Sequence, residues 1–318
     1  MNRPHRPLSR LLSAAALLGA LATAQAAGPP RAAAAFPPDF TPPRDSEHGY
    51  PLGGFGGGAG AEPSHVPVIF VHGNTGDACG WRLVRDDFRA AGWNDQALWA
   101  LSYNGVGAGR ANAPARPDPR CAAEQAAQGG DGTPHVTSND INVPDLHAFI
   151  LAVRDYTGSD HFSLVGHSLG VTLARRTLQQ HPELRRDLVA FVGIAGGNDG
   201  TSLCPEKLQG LLPVCAELAA GGSAWLDELN GPDGALETTP PARWMTIYDG
   251  GGQADVAFVG ELADSPALKG ADNRRFPGTP HNDLRVRADI VTVYREFLEA
   301  ADAALRARQR RQSRLIGK

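Results

Sequence analysis

Cysteine and methionine are scarce in this chain: four and two among 318 residues. No two cysteines stand in a CxxC pair, which removes the usual spacing of a cysteine-built zinc site. Charge of one sign is lacking too. Lys+Arg number 30 against 34 Asp+Glu, a net charge of -4, so there is no overall basic footprint for nucleic acid. Apart from Leu11–Ala24 no apolar run invites a membrane reading, and that one is too short for a comfortable span. No repeat period is visible, which excludes solenoids and propellers. What is present suits a globular protein with a sizeable core: 42% hydrophobic and 20% charged residues. The length allows two domains, but α/β folds often run this long as one.

The N-terminus reads as an address. Arg3, Arg6 and Arg10 precede the apolar run Leu11–Ala24, and Ala22-Thr23-Ala24 or Ala24-Gln25-Ala26 offers a small-residue cleavage site. Residues 1–26 are therefore expected to be a signal peptide, with the mature protein extracellular or periplasmic. Its removal takes three positive charges and moves the net charge from -4 to -7. In an oxidising compartment four cysteines suggest two disulfides. Cys204 and Cys215 bracket a short segment and are expected to pair, leaving Cys79 with Cys121. Residues 27–64 are Pro- and Gly-rich and read as a poorly ordered arm. The glycine cluster Gly53–Gly60 precedes a strand, so it is no dinucleotide fingerprint.

Residues 65–302 alternate strand and helix signals. Val66–Gly73, Ala97–Tyr103, "HFSLVG", Leu188–Gly196 and Arg243–Gly250 read as buried strands. Leu146, Phe149, Ile150 and Val153 mark a helix face; Ile290, Val293, Tyr294 and Phe297 mark another. This alternation predicts an α/β fold with a mostly parallel central sheet and helices on both faces. Residues 197–241 break the pattern and read as a lid or cap-like insertion. Within them Leu208–Leu218 could cover the sheet or offer an apolar binding face. Residues 303–318 form a basic tail, expected as a solvated helix end.

The chemistry centres on Gly166-His167-Ser168-Leu169-Gly170. A strand runs into this G-x-S-x-G and a helix runs out, the context that gives the motif meaning. A sharp turn lifts the serine oxygen, and glycines on either side avoid collisions. Leu169 opens the helix, so its backbone N–H is a candidate oxyanion donor. The second donor is expected after "VIFVHG", from the N–H of Asn74, with Thr75 as runner-up. In the order Ser, Asp/Glu, His, the base is His281. His181, the other downstream histidine, sits at a helix end where a cation suits the dipole. Asp255 is the preferred acid over Asp249, which could instead cap a turn. His167 reads as a spacer beneath the turn.

"VIFVHGNTGD", "LVGHSLG", "MTIYDGGGQADVAF" and "GTPHNDL" together resemble the α/β-hydrolase superfamily, and within it the secreted bacterial class 2 lipases and a related extracellular polyhydroxyalkanoate depolymerase. The likeness spans about Val66 to Ala301. It implies an α/β-hydrolase fold, a nucleophile at Ser168, an acid at Asp255, a base at His281 and oxyanion donors at Asn74 and Leu169. It also implies ester hydrolysis through an acyl-enzyme, with no metal or organic cofactor. The four cysteines and the long 197–241 segment depart from the smallest members and bear on substrate choice. The expected partners are a lipid or small ester, or a polyester surface, with neither nucleic acid nor stable membrane insertion. A non-catalytic interaction protein on the same fold and a peptidase are the competing readings.

Overall fold

The computed structural model describes residues 36–47, 49, 51–58, 62–103, 137–251 and 253–316; the expected signal peptide lies outside them. Among these residues seven strands form one sheet: β1 (Gly53–Gly56), β2 (Val68–Val71), β3 (Leu98–Ser102), β4 (Phe162–His167), β5 (Leu188–Ile194), β6 (Arg243–Tyr248) and β7 (Asp272–Arg275). Their order is β1-β3-β2-β4-β5-β6-β7. Every pairing is parallel except β1 on β3. The helices are α1 (Arg82–Ala90), α2 (Val143–Thr157), α3 (Leu169–Gln180), α4 (Glu206–Gln209), α5 (Pro213–Glu217), α6 (Ala224–Asn230), α7 (Asp283–Val286) and α8 (Ala288–Ile316).

A period of two divides each strand between the two faces. Ile69 and Val71 of β2 join Leu146, Phe149, Ile150 and Val153 of α2 and Val171, Ala174 and Leu178 of α3. Val68 and Phe70 join Val84 and Phe88 of α1 and Ile290 and Tyr294 of α8 on the other side. With both faces covered, β5 is buried at every position of "LVAFVGI", which is why it reads as a continuous apolar run. The expected parallel sheet between helical layers is the fold observed.

Two strands differ from expectation. Residues 53–56, read as part of a loose arm, are the buried edge strand β1. Here the glycines are a packing requirement. Gly54 and Gly56 have φ of 145° and 154°. A Cβ on Gly54 would lie 2.1 Å from the Ala100 carbonyl, and one on Gly56 would lie 2.4 Å from the Trp99 ring. Upstream, Phe40 packs 4.9 Å from Trp99. The described part of the arm is thus docked. The polar strand β7 carries no apolar alternation to announce it. The basic tail, for its part, continues α8 without a break to Ile316.

Residues 197–241 hold α4, α5 and α6 and one small core. Val214, Cys215, Leu218 and Leu226 pack with Cys204 against Leu169, the first residue of α3. Most of the Leu208–Leu218 stretch therefore packs inward, while Leu211 stays 68% exposed. Cys204 and Cys215 are bonded, with Cα atoms 4.8 Å apart. Cys79 is also disulfide-bonded; its expected partner, Cys121, lies outside the described residues. Closing a loop of this size removes about 3 kcal/mol of unfolded-chain entropy. The Cys204→Ala/Cys215→Ala variant is expected to melt roughly 5–10 °C lower. An unchanged Tm by scanning calorimetry would show that the bond adds nothing to the fold.

Candidate active site

β4 delivers His167 and Ser168 to the carboxyl edge of the sheet, where ligands of open α/β sheets gather. Ser168 has φ 54° and ψ -126°, a conformation that costs a non-glycine residue on the order of 1–3 kcal/mol. Its N–H donates to the Ile194 carbonyl at 2.8 Å, and its carbonyl accepts from Val171 N at 3.0 Å. The flanking glycines are enforced by contact. A Cβ on Gly166 would sit 2.7 Å from the Gly170 carbonyl oxygen, and one on Gly170 would sit 2.4 Å from the Val71 carbonyl oxygen. As the first residue of α3, Leu169 has an N–H without an intrahelical acceptor.

The loop after β2 lies directly against this turn. A Cβ on Gly73 would come within 2.7 Å of Ser168 Cβ. Asn74 follows, its Oδ1 accepting from Thr137 N at 3.3 Å, and Thr75 has φ 58°. His72 fixes the loop from below, a role the sequence reading missed. Its Nδ1–H donates to the Gly73 carbonyl at 2.7 Å, while Nε2 accepts from Tyr103 N at 3.3 Å. Tyr103 stacks on it, with ring centroids 3.9 Å apart, and donates its hydroxyl to the His72 carbonyl at 2.6 Å. Burial pushes the His72 pKa down to about 4, so the ring is neutral and the tautomer is fixed.

Of the two candidate aspartates, Asp255 meets His281. His281 Nδ1 lies 3.0 and 2.9 Å from its two carboxylate oxygens. Asp255 is fully buried, and its Oδ1 also accepts from Ala257 N at 3.0 Å. Asp249 does something else. Its Oδ1 accepts from Gly278 N at 2.6 Å and Thr279 N at 3.3 Å. Its Oδ2 accepts from Gln253 N and Ala254 N, both at 3.4 Å. It ties the loop that carries Asp255 to the loop that carries His281. Burial alone would raise its pKa, but these backbone donors outweigh that and hold the carboxyl below its ordinary value.

His167 links the two halves of the site. Its Nε2–H donates to the His281 carbonyl at 3.1 Å, and the two rings are 4.8 Å apart. The loop of His281 is thereby bonded to the residue preceding Ser168. Burial, and then the neighbouring His281, push the His167 pKa well below the usual histidine value, so it stays neutral. It is a positioning group and not merely a spacer. Only its partner, a distant backbone carbonyl, could have revealed this.

The Ser168 turn and the loop after β2 fall in a sequence region matched by one family; Asp255 and His281 lie beyond the matched residues. The family described as Lipase (class 2) matches residues 65–122 and 130–238, more than half of the chain. Among solved structures, Bacillus licheniformis lipase BlEst2 in its mature form is 15% identical, with a TM-score of 0.52. That match covers 76% of this chain and 94% of that one. The propeptide form of the same lipase is 14% identical, with a TM-score of 0.53, over 76% of this chain and 51% of that one. At these identities the likeness concerns the fold. No curated protein sequence matches. The fold is that of an α/β-hydrolase, and the chain belongs to the class 2 lipase family.

Proposed function

We propose that this protein is a secreted serine carboxylic ester hydrolase of the lipase type. The observation that carries the reading is the pairing of His281 with buried Asp255, on a loop bonded through His167 to the strained turn of Ser168. Nδ1 engaged by a carboxylate leaves Nε2 free to act as base. Ser168 Oγ attacks the ester carbonyl carbon, and its proton passes to His281 Nε2. The backbone N–H groups of Leu169 and Asn74 receive the negative charge that develops on the carbonyl oxygen; Thr75 is the alternative second donor. The ester C–O bond then breaks, and the leaving alcohol takes the proton from His281. Water repeats the sequence on the acyl-enzyme and releases the acid. No step calls for a metal or organic cofactor.

An apolar substrate is favoured by the rim beside the Asp255 loop. Ser202 N donates to the Ala257 carbonyl, and Ser202 Oγ accepts from Val259 N. These bonds join the segment of Leu203, 49% exposed, to the loop of Val256 and Val259, 55% and 41% exposed. Exposed aliphatic residues on adjoining loops beside Asp255 suit an acyl chain or a polyester. Secretion is supported by the N-terminal signal pattern and by the Cys204–Cys215 disulfide. No described helix is long and apolar enough to cross a membrane.

The test is hydrolysis of p-nitrophenyl esters of increasing chain length beside a polyester film-clearing assay. Turnover should favour medium or long acyl chains over acetate by about tenfold or more, as burial of several methylenes provides. Clearing of the film with weak activity on soluble esters would assign the polymer as substrate. Absence of turnover on every ester would overturn the reading and favour a non-catalytic role.

A further inference from the structure

On the face of the sheet covered by α2 and α3, three donors converge that the ester chemistry does not use. His147 comes from α2. His181 ends α3, its N–H bonded to the Thr177 carbonyl at 2.9 Å. Glu183 lies one residue beyond Pro182. His147 Nε2 and His181 Nδ1 each lie 3.5 Å from Glu183 Oε1. One donor atom from each of the three residues falls within 4.8 Å of the others.

We propose that His147, His181 and Glu183 bind a divalent transition-metal ion of the zinc type, with water as fourth ligand. The distances carry the argument. At 3.5 Å the histidine–carboxylate contacts exceed the ~2.7–2.9 Å of a charge-assisted hydrogen bond. They match the edge of a tetrahedron whose metal–ligand bonds are about 2.1 Å, which is about 3.4 Å. The two imidazoles stack with centroids 3.6 Å apart and planes within 6°; because an imidazole nitrogen's lone pair lies in its ring plane, one ring must turn about its side-chain torsions for both to meet the same ion. Two nitrogens and one carboxylate oxygen suit zinc, and also copper or nickel, better than calcium or magnesium. The histidines are 24% and 28% exposed and Glu183 is 53% exposed, so an ion can enter from solvent.

The site is structural. α3 starts immediately after Ser168 and has 12 residues, so its far end lies about 18 Å from the serine. An ion there would clamp the end of this helix to α2. The untagged, full mature chain, freed of metal with EDTA, should bind one zinc ion by isothermal titration calorimetry at pH 7.5. Free zinc about a hundredfold above Kd should then raise Tm by roughly 5–10 °C. Glu183→Ala, at an exposed position, and His147→Gln should each abolish that shift while leaving zinc-free esterase activity within about twofold of the parent. Failure of the parent to bind zinc, or a full Tm shift in Glu183→Ala, would overturn the site. Because the readout is Tm and stoichiometry, it stands apart from the proposed esterase activity.

Discussion

Ser168→Ala is expected to lower kcat for a p-nitrophenyl ester by about 10⁴–10⁶-fold while Tm stays within a degree or two. The first effect follows from losing the hydroxyl of the proposed nucleophile. The second follows from what the substitution leaves alone. Val171 N, the Ile194 carbonyl and the flanking glycine contacts are all met by backbone, and alanine keeps them. Alanine also keeps the strain, because φ of 54° is unfavourable for any residue with a Cβ. Ser168→Gly separates the two properties. It should be as inactive as the alanine variant, yet more stable by roughly 1–2 kcal/mol once the left-handed strain is relieved. Wild-type turnover in Ser168→Ala would remove this serine as nucleophile. A glycine variant no more stable than the alanine variant would show that the turn stores no strain.

The turn at Ser168 was legible because most of its pattern is local. Strand, glycines, serine and helix follow one another in sequence, and Gly166 is required by Gly170 and Val171 of the same motif; the need for Gly170 comes from the distant carbonyls of Val71 and His72, which sequence does not show. The central strands were legible because burial on both faces leaves an unbroken apolar run. β1 was not, because its strand identity comes from the Trp99 ring lying on glycines, and glycine by itself argues against a strand. β7 was hidden for the opposite reason. Its residues, Asp272 to Arg275, are polar and pair only as an edge. His72 and His167 act on the carbonyls of Gly73 and His281. A backbone acceptor leaves no trace in composition, so neither histidine could be placed from sequence. His181 was read as a cation at a helix end because His147, 34 positions earlier, reaches it only through the packing of α2 on α3.

Asp255 and Asp249 stand six residues apart, and their amide variants should behave differently. In Asp255→Asn the new carbonyl oxygen is held by Ala257 N, which donates to Oδ1 at 3.0 Å. The NH₂ group must then take the position of Oδ2, 2.9 Å from His281 Nδ1. Two donors cannot face each other, so the imidazole shifts its proton to Nε2 and can no longer accept one from Ser168. That change of tautomer should lower kcat by about 10⁴-fold with little change in KM. In Asp249→Asn the base keeps its tautomer, and kcat should fall by about tenfold at most. The loss appears in stability instead, because the amide keeps one acceptor oxygen for the pair Gly278 N and Thr279 N or the pair Gln253 N and Ala254 N, and the other pair faces an NH₂ donor. A carboxylate whose folded pKa is depressed stabilises the fold above its unfolded pKa, and the contribution fades as pH falls through the folded value. The Tm gap between parent and Asp249→Asn should therefore be full at neutral pH and close in acid, below the ordinary carboxylate pKa. If Asp249→Asn instead proves the crippled enzyme and Asp255→Asn the merely unstable one, the two roles must be exchanged, and the pairing of His281 with Asp255 is not the pairing that supports the reaction.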